Sequence, residues 1–196
     1  MKRFCLAVLC SLLLILSACS GEQKGDATLK EAALTDFETG LLDMMSDTAF
    51  AYDLHLANDN INEIHATVDY YTKGQFNSHV IDFSTKVSSS TDEPFRILFI
   101  SQQTDDDHIQ WISSVISNDG QSTAKSEAIP IKSVMDYASG SNNELDAFPI
   151  HKKKIVASLV YSNKKQITVR HDIKTKKDLQ QATNYKKVFL ITLELQ

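Results

Sequence analysis

Residues 64–71, Ile64-His65-Ala66-Thr67-Val68-Asp69-Tyr70-Tyr71, decide the fold class. Ile64, Ala66, Val68 and Tyr70 alternate with His65, Thr67, Asp69 and Tyr71. A strand sends successive side chains to opposite faces, so one row turns inward and the other stays wet. A helix has a period of 3.6 and would mix the two rows. Lys73-Gly74 then reads as a turn, and Phe76–Phe83 as the returning partner of a hairpin.

The same signature recurs on both sides of this hairpin. Upstream, Ala49–Leu56 is apolar and aromatic and stops at the turn-rich Asn58-Asp59-Asn60. Downstream, Ser84–Glu93 reads as a Ser/Thr-rich loop ending at Pro94, and Arg96–Ser101 as a compact apolar strand. His108–Ser117 alternates again, with Ile109, Trp111, Ser113 and Val115 on one face. Asn118-Asp119-Gly120 is a strong turn signal before a return strand near Thr123–Ile129. Ser139–Asp146 reads as a polar loop. Lys154–Tyr161, Gln166–Ile173 and Lys187–Leu195 read as three closing strands, with Lys174–Asn184 a polar connection that has room for a helical turn.

Eight or nine strands with turns between them, and no long helices alternating with them, predict an antiparallel β-sandwich. An immunoglobulin-like architecture is one form it could take, and a half-closed barrel is the alternative. The region before Ala49 stays open. Thr28–Glu31 and Thr35–Glu38 both have capping-box spacing and suit a short helix, whereas Phe37–Met45 also reads as a first strand.

The N-terminus carries a different kind of signal. Lys2 and Arg3 precede an apolar run, Phe4–Ile15, too short to span a bilayer and laid out like a secretory signal. Leu16-Ser17-Ala18-Cys19 closes it. All four positions resemble the lipobox of bacterial lipoproteins. The resemblance implies that the Cys19 thiol is diacylated and that signal peptidase II cuts before it. Residues 1–18 would then be a signal peptide, 19–27 a lipidated flexible tether, and 28–196 a single β-rich extracytoplasmic domain. The protein would sit on the extracytoplasmic face of the cell membrane. Two or more acyl chains hold a protein stably, where one is marginal.

Cysteine usage agrees with that placement. The three cysteines are at positions 5, 10 and 19, so the expected mature domain has neither a disulfide nor a thiol-based metal site. Charge is uneven. Residues 20–150 hold 7 Lys and Arg against 22 Asp and Glu, a net of −15. Residues 151–196 hold 11 against 3, a net of +8. Basic strands neutralising acidic neighbours explain this within one fold, and a basic face for anionic headgroups or wall polymer explains it between molecules. Net acidity, without an Arg–aromatic stripe, speaks against nucleic acid.

Chemistry is sparse. Ser122–Lys125 and Ser162–Lys165 match Ser-x-x-Lys, but both fall at predicted hairpin turns and lack the companion elements of penicillin-recognising enzymes. The six histidines show no helical ligand spacing. Asp105-Asp106-Asp107-His108 could hold a cation, and Asn58–Glu63 resembles part of a calcium loop. Both read better as solvated turns. Tyr52, Tyr70, Tyr71 and Trp111 read mostly as core. No catalytic residue, metal ligand or cofactor is expected. The expected role is a lipid-anchored binding module for an envelope protein or an anionic wall polymer. An envelope-acting enzyme or accessory, and a regulator or immunity-type protein, remain alternatives.

Overall fold

The computed structural model describes residues 25–87, 93–131, 136–142, 144–170 and 173–196. The lipobox residues Leu16, Ser17, Ala18 and Cys19 lie outside them, as does part of the loop expected over Ser84–Glu93. The elements run β1 (Ala27–Glu31), α1 (Asp36–Met45), β2 (Thr48–Leu56), β3 (Glu63–Thr72), β4 (Gln75–Lys86), β5 (Phe95–Asp105) and β6 (His108–Ser117). They continue with β7 (Gly120–Lys125), β8 (Ile129–Pro130), β9 (Asp136–Ser141), β10 (Glu144–Phe148), β11 (Lys154–Ser162), α2 (Lys176–Thr183) and β12 (Lys187–Leu195).

Two antiparallel sheets form a β-sandwich. The first is ordered β10-β1-β2-β5-β6-β7, with β8 on β6, and the second β4-β3-β12-β11-β9. The alternation over 64–71 sets the register of the second sheet. Ile64, Ala66 and Val68 are fully buried against the first sheet, while His65 and Asp69 keep partial exposure on the outer face. The two-residue loop has Lys73 at φ 51° and Gly74 at φ 83°, the paired left-handed geometry of a tight hairpin.

One apolar core fills the space between the sheets. Trp111 on β6 and Phe189 on β12 meet across it with ring centroids 5.5 Å apart, and Tyr70 stacks on Phe189 at 4.9 Å. Trp111, Tyr52, Phe99, Phe148 and Phe189 are all under 2 % exposed. Burying each contributes roughly 1.5–3 kcal/mol relative to leaving it in water. The Tyr52 hydroxyl donates to the Val156 carbonyl at 2.9 Å, joining β2 to β11.

The sequence reading needs three corrections. Thr28–Glu31 is strand, not helix, because it pairs on both sides with β2 and β10. In the stretch expected as a loop over Ser139–Asp146, residues 139–141 end the edge strand β9 and residues 144–146 begin β10, where a neighbouring backbone compensates for polar side chains. Residues 166–170 form no strand. Ile167, Val169 and Ile173 instead lie with Leu179 of α2 over Val160, Val188 and Leu190, covering the outer face of the second sheet. The described residues are already tied into the fold at their N-terminal end. Ala27 already belongs to β1, and Asp26 accepts from the Ile150 amide and the Asn58 side chain, both at 2.8 Å.

Candidate interaction site

Helix α1 is set by its cap. The Thr35 hydroxyl accepts from the Glu38 amide at 3.2 Å, and the Glu38 carboxylate accepts from the Thr35 amide at 2.8 Å. The same Glu38 side chain accepts from Arg96 on β5 at 2.8 Å. Arg96 in turn donates through Nε to Asp53 on β2 at 3.0 Å. Hydrogen bonds from Thr35, ahead of the Arg96 charge, lower the Glu38 pKa. The helix is thereby tied to the first sheet through its polar flank.

This attachment fixes which way the apolar stripe points. Phe37, Leu41, Met44 and Met45 recur at helical spacing on one side. Phe37 is 74 % exposed, Met44 78 % and Met45 55 %, and no residue of α1 is buried. Thr39, Leu42, Asp43 and Ser46 instead line a cavity of about 320 Å³ above Ala49 and Ala51. An amphipathic helix on a globular domain ordinarily turns its stripe to the core. Here the mostly polar side faces the fold and the apolar side faces water.

A second feature lies on the outer face of the second sheet. A cleft of about 540 Å³ has an apolar floor that includes Ile155, Ile173, Leu179 and Leu190. Lys153, Lys154 and Lys174 stand around it, with Asp69 also in its wall. Beside the cleft runs a polar row. His65 Nε2 lies 2.7 Å from Asp82 and its Nδ1 lies 3.9 Å from Glu194. His79 Nδ1 lies 2.7 Å from Asp69. The His65 hydrogen bond is the main cause of a lowered Asp82 pKa, with smaller contributions from His79 and Lys153.

The motifs singled out by sequence fall elsewhere. Asp105 accepts from the Asp107 amide at 2.9 Å and pairs with His108 Nδ1 at 2.8 Å, so its carboxylate closes the β5–β6 turn. Those bonds, the Asp107 amide first, lower its pKa. Asn58 accepts from the Asn60 amide at 3.0 Å, a local Asx turn. Among the described residues no group of three or more His, Cys, Asp or Glu is arranged to hold a metal ion. Ser122 sits on strand β7 and shares a hydrogen bond with Thr85. Ser162 is buried at the end of β11 and accepts from the Lys164 amide at 3.0 Å. Neither serine occupies a helix start. Tyr52 and Trp111 are core, while Tyr70 and Tyr71 are half-buried.

Sequence reasoning did not anticipate the exposed stripe. The signal for a helix was present in Thr35–Glu38, but periodicity locates a stripe without saying which way it faces.

Residues 28–195 match the model of the YgaN domain, and the chain belongs to that family. No curated protein matches it, and no solved structure does.

Proposed function

We propose that this YgaN-domain protein is a lipid-anchored binding module on the extracytoplasmic face of the cell membrane, held there through Cys19. Its binding surface is the outward stripe of α1. The observation that carries this reading is the exposure of Phe37, Met44 and Met45 on a helix whose other flank is pinned by Arg96. Large apolar side chains clustered in water mark a contact surface. Aromatic residues and Met are enriched where proteins meet, and a few buried anchors carry most of the affinity there.

The test is made in the native envelope with the full chain. A photo-crosslinking residue replaces Phe37, in wild-type and Cys19→Ala backgrounds. The reading expects a protein adduct in the membrane fraction, and loss of acyl labelling and of membrane retention in Cys19→Ala. Unchanged fractionation of Cys19→Ala overturns the anchor, and absence of any adduct overturns the binding surface.

A further inference from the structure

Resting on the reading of α1 as a binding surface, we propose that its partner is a second copy of this chain. The α1 stripe of one copy seats in the lysine-rimmed cleft of the next.

The two surfaces match in chemistry. The helix carries Asp36, Glu38 and Asp43 and contains no Lys or Arg. Glu38 is engaged by Arg96 and Asp47, just beyond the helix, accepts from the Gln103 amide, which leaves the exposed Asp36 and Asp43 on the flank of α1 that borders its cavity. The cleft reverses this arrangement. Its floor is apolar, and Lys153, Lys154 and Lys174 stand at its edge. Asp69 in its wall is held by His79. The cleft volume of about 540 Å³ is within the range of sites that enclose a few side chains, so Phe37 and Met44 have room to enter together. The whole chain repeats the pairing, with a net of −15 over residues 20–150 and +8 over 151–196.

The same chemistry disfavours the bilayer as occupant. Helices that lie in a membrane interface carry Lys or Arg on their polar flank, and α1 has none. A head-to-tail contact uses two different surfaces. Each copy keeps one free helix and one free cleft, so assembly runs beyond a pair unless a ring closes. Anchoring in one membrane raises the local concentration of copies for this contact.

The experiment uses the acylated full chain, purified and reconstituted in phosphatidylcholine vesicles with a photo-crosslinking residue at Met44. The proposal expects a ladder of dimers, trimers and longer adducts, with crosslinks mapping to residues 153–155 and 173–179. Asp36→Lys with Asp43→Lys on every copy reduces the ladder on the order of tenfold, as does Lys153→Glu with Lys154→Glu. Mixing the two variants restores adducts between unlike copies only. Circular dichroism and thermal melting of each variant establish that it is folded.

A dimer that stops at two copies and ignores the cleft variants overturns the proposal, as do crosslinks to lipid alone. Adducts to a different protein in native membranes, with none between copies, overturn self-association and leave α1 as a binding surface. Binding of a purified anionic wall polymer to the cleft with the ladder unchanged also overturns it. Absence of adducts both in vesicles and in native membranes removes the reading of α1 itself.

Discussion

The carboxylate of Glu38 lies 2.8 Å from the guanidinium of Arg96, and this contact orients α1 on the sandwich. It ties the polar flank of the helix to β5 and leaves Phe37 and Met44 in water. Arg96→Met removes the tie while keeping much of the stem. Hydrogen exchange of the α1 amides is expected to accelerate, with the central amides of β3 and β12 unchanged. Global stability falls by roughly 1 kcal/mol, because the Asp53 contact is lost as well and the cluster is partly solvated. Unchanged α1 exchange would show that the helix is held by something else.

The cap carries a separate share. Thr35→Ala deletes the hydroxyl that accepts from the Glu38 amide. It is expected to cost about 1 kcal/mol of local helix stability. The equivalent change in α2, Thr175→Ala, removes the same box around Asp178. Because α2 covers apolar residues of the second sheet, that variant should also loosen Leu179 and its neighbours. Denaturant melts with local exchange readouts separate the two.

Two glycines predict effects of opposite sign. A Cβ on Gly25 would run into the Ala147 Cα, inside any tolerable contact. Gly25→Ala therefore forces the backbone of β10 or the chain entry to move, costing about 1–3 kcal/mol. A Cβ on Gly40 meets nothing within 4 Å. Gly40→Ala in the middle of α1 is expected to stabilise the helix by up to about 1 kcal/mol. Thermal melts of the two single variants check both signs.

Buried tyrosines set an alkaline limit. Burial pushes the Tyr161 hydroxyl up to about 12, and raises Tyr52 further still. Both ionise near 10 once unfolded, so the unfolded state releases protons first as pH rises. The Tyr161 contribution is complete below pH 10 and is lost between about 10 and 12, while that of Tyr52 goes on falling above this window. Tyr161→Phe should flatten that loss, measured as denaturation midpoints across the same window.

The strands were legible wherever one face is buried and turns are chemically marked. Residues 64–71 and 108–117 fall on β3 and β6, and Lys73-Gly74 makes the hairpin turn. Alternation misled over Gln166–Ile173, because Ile167, Val169 and Ile173 do cover apolar surface, though without joining a ladder. Strands β9 and β10 went unread for the opposite reason. Short edge segments such as Asp136–Ser141 are held by backbone pairing and carry little side-chain pattern. The direction of the α1 stripe depends on Glu38 finding Arg96, 58 residues away, and no local pattern encodes that distance. The cleft likewise assembles from β3, β10, β11, β12, α2 and neighbouring loop residues, distant from one another in sequence.

Peroxide oxidation of Met44 tests the central claim most directly. Met44 is 78 % exposed, so its thioether should convert readily to the sulfoxide in the isolated protein at high dilution. If α1 is a contact surface and Cys19 is the anchor, the same residue in intact envelopes is protected, and Cys19→Ala restores its oxidation. Equal oxidation of Met44 in the isolated protein and in the intact envelope would contradict the account.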